Sequence, residues 1–251
     1  MRTTLFFIAG LFMQISLSAQ DGGEQEMITD RPDQTESAAI VPAGHLQIET
    51  GFIYRSDDAG MMETNELGLF TTLLRYGINR NFELRLGSAF LDINNKPETG
   101  DEQTISGMAP LFAGIKFKML EENGAVPEMA FLATLEIPGT GKDEFTPEHP
   151  ATDLRFAAQY TLTNRMALGM NLGGRWNGTD PEVTGVYTFV LGFSLIDNLG
   201  MFVESYGFLP TGGMPDHRLD AGFTWSLKNN LQLDASGGIG LSEISPDYFV
   251  N

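Results

Sequence analysis

A two-residue alternation of apolar and polar side chains constrains this chain more than any other feature, and residues 218–241 show it most cleanly. Leu219, Ala221, Phe223, Trp225 and Leu227 fall on one side of the period; Arg218, Asp220, Gly222, Thr224 and Ser226 fall on the other. Lys228-Asn229-Asn230 makes a tight reversal, and the alternation restarts. Leu231, Leu233, Ala235, Ile239 and Leu241 then stand against Gln232, Asp234, Ser236 and Gly238. Successive side chains of an extended strand point to opposite faces. The stretch is therefore a hairpin with one apolar face and one polar, charged face. A water-soluble sandwich buries the apolar face, whereas a membrane barrel turns it outward to lipid. Most of the functional question reduces to this choice.

The same pattern recurs along the chain. Leu46, Ile48, Thr50, Phe52 and Tyr54 oppose Gln47, Glu49, Gly51, Ile53 and Arg55. A second segment, 66–76, is extended but ambiguous in its facing. Phe82, Leu84, Leu86 and Phe90 oppose Glu83, Arg85, Gly87 and Ala89, and six more segments follow before the final hairpin, eleven in all. The connections between them alternate in length. Residues 77–81, 121–126, 163–165, 197–199 and 228–230 are short, and each contains an asparagine, which tolerates the backbone of a tight reversal. Residues 56–65, 92–103, 138–152, 177–182 and 209–216 are longer and acidic or rich in Gly and Pro. Short turns at one rim and long loops at the other are the habit of an up-and-down barrel of the outer membrane. A Greek-key sandwich has no reason to alternate so strictly.

With the first strand rising from the short-turn side, Tyr54, Trp176 and Tyr187 come near the loop rim. Tyr76, Phe82, Tyr160 and Trp225 come near the turn rim. Two aromatic belts are expected where amphipathic rings meet the two headgroup layers. The fold expected is all-β: an antiparallel up-and-down transmembrane β-barrel of about twelve strands. Eleven are visible, and a twelfth is expected to be cut short at Tyr248-Phe249-Val250-Asn251, because an odd count leaves an unpaired edge.

Composition narrows the setting. Residues 1–19 read as a secretory signal: Arg2 gives a positive start, an apolar run follows, and Ser18-Ala19 supplies small residues. The division expected is a signal at 1–19, a periplasmic segment at 20–44 and a barrel at 45–251. With no cysteine, an exported chain has no disulfide to rely on. A formal net charge of −18 argues against nucleic acid as a partner. The excess acid sits in the connections, where solvated loop tips explain it better than Ca²⁺ or Mg²⁺ bridging of lipopolysaccharide phosphates.

If the apolar faces look outward, the lumen is lined by Glu49, Arg55, Glu83, Arg85, Lys116, Lys118, Glu136, Arg155, Arg175, Glu204, Arg218, Asp220 and Asp234. Both signs occur, so these residues can brace the wall as ion pairs or set solute preference in a polar conduit. The polar segment around Asp30, Arg31, Asp33, Gln34 and Glu36 is a candidate plug of that lumen. Enzymatic readings fare worse. His45, His149 and His217 are isolated, none with metal-ligand spacing to another. Gly139-Thr140-Gly141-Lys142 lacks the spacing of a phosphate loop, and Asp143 stands where Ser or Thr is needed. No catalytic residue, metal or cofactor is expected. The partners expected are outer-membrane lipid, lipopolysaccharide and a small solute.

The strings ITDRPDQTES, VPAGHLQIETGF, LLRYGINRNFELRLG and SPDYFVN resemble the meta-pathway phenol-degradation, or transporter, family of bacterial outer-membrane β-barrel proteins. The resemblance covers residues 28–251. It implies an outer-membrane barrel that acts as a passive channel or transporter for a small, aromatic or hydrophobic solute, and it carries over no catalytic residues. Two other functions compete: a plugged, non-conducting barrel with a structural or surface role, and a soluble periplasmic β-sandwich.

Overall fold

A computed structural model describes residues 27–251; the expected signal and residues 20–26 lie outside the described residues. The strands are β1 (Leu46–Glu49), β2 (Phe52–Asp58), β3 (Met62–Asn79), β4 (Phe82–Pro97), β5 (Gln103–Met108), β6 (Phe112–Leu120) and β7 (Glu128–Glu136). They continue with β8 (Ala151–Thr163), β9 (Met166–Trp176), β10 (Thr184–Ile196), β11 (Leu199–Pro210), β12 (Asp216–Lys228), β13 (Leu231–Gly240) and β14 (Tyr248–Val250). Pairing is antiparallel throughout. β1 and β2 pair with the two halves of β3 and form one interrupted stave; β5 and β6 do the same against β4. Counted as staves the wall has twelve members, and β14 closes it by pairing with both β13 and β2. The expected cut-short twelfth strand is thus β14, three residues long, which completes the ring.

Two irregularities explain what the periodicity left unresolved. Between Leu69 and Thr72, β3 carries one residue more than the facing Ser88–Phe90 stretch of β4, and Phe70 takes a φ of 49°. Such a bulge reverses the facing of everything beyond it. Arg75 and Gly77 point inward below it and Gly68 points inward above it, against Ile53 and Leu91. No single alternation fits 66–76 for this reason. The break between β5 and β6 has the same effect on the fourth stave.

Two expected long loops are corrected. Residues 56–65 and 92–103 are mostly strand: β2 and β3 meet in a tight reversal at residues 59–61, and only residues 98–102 separate β4 from β5. Their polar side chains pair across the ladder instead of dispersing into solvent. Arg55 bonds Glu66, Tyr54 bonds Asn65 at 2.6 Å, Thr64 bonds Asn95 at 3.0 Å and Lys96 lies 3.5 Å from Glu63. Above the hydrocarbon a strand needs no apolar face, so acidic composition misleads there. The connection at 137–150 remains long and holds a 3-10 turn at Asp143–Phe145.

The distribution of burial is inverted relative to a soluble protein. Leu172, Phe189, Phe223 and Trp225 stand 56, 45, 54 and 48% exposed on the outer face, while Arg75, Glu83, Lys116 and Glu204 inside are 0% exposed. Soluble monomers do not present so continuous an apolar surface. A sandwich would have packed Phe223 and Trp225 inside, so the wall is built to contact hydrocarbon.

Candidate functional site

The lumen is occupied by residues 27–44. The segment joins the wall where Ala43 forms a parallel bridge with Gly77, with Gly44 N–H donating to Gly77 C=O at 2.8 Å and Gly77 N–H to His45 C=O at 3.1 Å. Glycine is required there by close approach: a Cβ on Gly77 would lie 2.1 Å from Val41 O and 2.4 Å from Pro42 O. Overpacking of this kind costs about 1–3 kcal/mol. Gly77→Ala is therefore expected to loosen the segment while leaving the barrel folded, seen as faster proteolysis of residues 27–44 beside unchanged heat-dependent gel mobility.

Inside, Asp30 is the centre of a charged cluster. Its carboxylate accepts from Lys116 Nζ at 2.8 and 3.1 Å and from Arg85 at 2.7 Å, lies 3.1 Å from Arg75, and takes the Ser37 N–H at 2.9 Å and hydroxyl at 2.6 Å. Burial pushes the Asp30 carboxyl up, but Arg75, Lys116 and Arg85 outweigh it and hold it well below the usual carboxylate range. Arg75 in turn donates to Glu83 at 2.9 and 3.1 Å and to Glu49 at 2.9 Å. The wall also holds the segment's backbone. Glu49 accepts the Asp30 N–H at 3.0 Å, Glu83 accepts the Val41 N–H at 2.9 Å, and Arg75 donates to the Ile28 and Ala39 carbonyls. Buried charges persist only when so fully paired.

A second anchor lies on β9 to β12. Asn171 accepts the Glu36 N–H at 2.8 Å and donates to the Glu36 carbonyl at 2.9 Å, matching both backbone groups of one residue. Glu204 accepts the Gln34 N–H at 2.7 Å and the Thr35 hydroxyl, and Thr35 also reaches Thr188 at 2.7 Å. Glu36 itself pairs with Arg85 at 2.7 Å. Arg31 reaches Thr71 at 3.1 Å and lies 3.8 Å from Asp234, while Asp33 borders the cavity on the turn side.

The remaining lumen candidates are distributed along the tube. Arg55 meets Glu66 near the loop rim, and Lys118 meets Glu128 at 2.6 Å near the turn rim. Arg155 gives two hydrogen bonds to Asp153, and Arg218 gives two to Asp216. Asp220 pairs across the ladder with Glu204 and keeps one carboxylate oxygen buried without a partner. Arg175 lies over the Phe208 ring at 5.2 Å; neither it nor Glu136 makes a hydrogen bond or ion pair among the described residues.

Sequence reasoning missed Arg75, the largest fully buried side chain, and did not single out Gln47, Asn171 and Thr188, although the alternation puts them on polar faces. Counting outward from Gly77 alone would have found Arg75, since Leu74, Tyr76 and Ile78 are the apolar side of that short run. It also overlooked the rings that face inward: Phe202, Tyr206 and Phe249 are buried in the lumen. The histidines are scattered, His217 bonded to the Tyr187 hydroxyl at 2.7 Å and His149 stacked on Trp176.

Two cavities flank the segment. One of about 470 Å3 opens on the turn side, lined by Thr29, Asp33, Phe202 and Gln232 among others. One of about 560 Å3 opens on the loop side between Arg85, Leu132, Arg155 and Arg175. Glu36 borders both, so the segment is what separates them.

Sequence comparison with curated proteins gives no match. Among solved structures the chain is similar to an outer membrane channel from Pseudomonas putida F1, at 14% identity and a TM-score of 0.60 over 92% of this chain and 97% of that one. At that identity the likeness establishes the barrel fold. A family model matches residues 29–251, which takes in the luminal segment and the whole wall. The chain belongs to the family described as "Putative MetA-pathway of phenol degradation".

Proposed function

We propose that the protein is a passive outer-membrane channel for a small solute, narrowed by its own N-terminal segment, with lipid and lipopolysaccharide as its surroundings and no enzymatic role. One observation carries the reading: two polar-lined cavities, one at each mouth, with Glu36 of the N-terminal segment bordering both. The outward apolar band and the family both favour the membrane setting. The similar structure from Pseudomonas putida F1 is described as an outer membrane channel, and the same activity is inferred here.

A second reading, a closed barrel with a structural role, draws on the complete burial of Arg75, Glu83, Lys116 and Glu204 at mid-lumen. Planar-bilayer conductance of the refolded chain decides between them. The channel reading expects conductance from the full chain and a several-fold rise when residues 21–40 are deleted. No conductance before the deletion favours the closed barrel, and a deletion that changes nothing removes the segment's narrowing role.

A further inference from the structure

The loop-side cavity contains two charges, Arg175 and Glu136, that have no hydrogen bond or ion pair among the described residues, and they are of opposite sign. The other cations that border it are occupied. Arg85 is held by Asp30 and Glu36, and Arg155 is held through two of its nitrogens by Asp153. Asp153 is also the cross-strand neighbour of Arg175, but each of its oxygens bonds Arg155 and it makes no ion pair with Arg175. Arg175 makes no hydrogen bond among the described residues and has one face on Phe208. A guanidinium fixed over a ring presents a planar fork that matches a carboxylate in two parallel hydrogen bonds.

The rest of the cavity supplies the other half of a binding site. Leu73, Phe112, Leu132 and Phe145 line it, an apolar patch beside the Arg175 guanidinium. Solute sites combine apolar surface with polar groups that fix orientation. Glu136, which likewise makes no ion pair among the described residues, stands two strands from Arg175, across β8. It borders the same cavity and disfavours a second negative charge on anything held there.

We infer that the loop-side cavity is a binding site for a small monocarboxylate with an aromatic or otherwise apolar body, with Arg175 holding the carboxylate and Glu136 excluding dianions. This deepens the channel reading, on which it rests for the solute's route, because it names the class of solute met first from outside.

The test is binding, not passage. Full-length protein in detergent is titrated calorimetrically with benzoate, benzyl alcohol and terephthalate, with refolding of each variant checked by heat-dependent gel mobility. Benzoate should bind at least about tenfold more tightly than benzyl alcohol, which lacks the charge, or terephthalate, which carries two. Arg175→Gln should weaken benzoate about tenfold or more and leave benzyl alcohol unchanged, as expected for a bidentate contact. Glu136→Gln should narrow the gap between terephthalate and benzoate. Equal binding of benzoate and benzyl alcohol, or benzoate binding that survives Arg175→Gln, overturns the site. Liposome swelling on the same preparations reads the channel separately, so benzoate binding without permeation supports the site while counting against the channel.

Discussion

Asp30→Ala should release the N-terminal segment from the lumen and raise conductance toward that of the chain lacking residues 21–40. Three cations converge on that carboxylate, and Lys116 would be left with carbonyls and a glutamate 4.0 Å away in place of its two short bonds. Removing one partner of a buried ion pair costs about 3–5 kcal/mol, because the other charge stays in place without compensation. At about 1.4 kcal/mol per decade, the ratio of docked to released segment falls by roughly two to four decades. The wall is a hydrogen-bonded ring independent of Asp30, so heat-dependent gel mobility should change little. If conductance and proteolysis of residues 27–44 both stay at the level of the unaltered chain, the cluster does not hold the segment.

The same carboxylate gives the pH dependence a sign. In the docked state Asp30 binds its proton only well below the ordinary carboxylate range, whereas in a released segment it titrates in that range. A depressed carboxylate contributes stability that is present above the unperturbed pKa and is lost as pH falls through the docked value. The segment should therefore stay docked from neutral pH down to about 4, the unperturbed range for aspartate. Release should set in only in stronger acid, and Asp30→Asn should remove Asp30's share of this dependence, leaving Asp33 and Glu36, whose carboxyls burial raises and which act with the opposite sign.

The wall was easier to read in the sequence than the site. Alternation finds a strand whenever one face is apolar, and β12 with β13 was readable residue by residue. It fails where the physical demand changes along one strand. The bulge at Phe70 reverses the facing of β3, and that reversal hid Arg75, on which the luminal cluster turns. Above the hydrocarbon both faces of β3 and β4 are wet, so their polar ends resembled loops. Inward rings such as Tyr206 and Phe249 were invisible for a related reason: an aromatic side chain is equally suited to lipid and to a packed lumen. The plug residues Asp30 and Glu36 stood out as polar and irregular, but their partners on the wall lie 19 to 135 residues along the chain, in separations that only closure of the barrel brings together.

A charge placed on the outer face separates a membrane wall from any soluble packing of the same strands. Phe189 lies near the middle of β10, 45% exposed, beside Met170 and Ser205 on the neighbouring staves. Leu227, 41% exposed, lies one residue from the end of β12, beside a short turn. The two are similar in accessibility and differ in depth. In lipid, Phe189→Arg should destabilise the folded barrel by about 2–4 kcal/mol, and Leu227→Arg by about 0–1 kcal/mol, because a cation at the midplane is far from headgroups and one at the rim reaches them. Urea unfolding in phospholipid vesicles measures both. In water neither change would cost much, since an arginine on an exposed surface position is ordinarily within 0.5 kcal/mol of neutral. A large, depth-dependent penalty at positions that are equally open can come only from the medium outside the wall, and equal small penalties at both would mean that the apolar face meets something other than hydrocarbon.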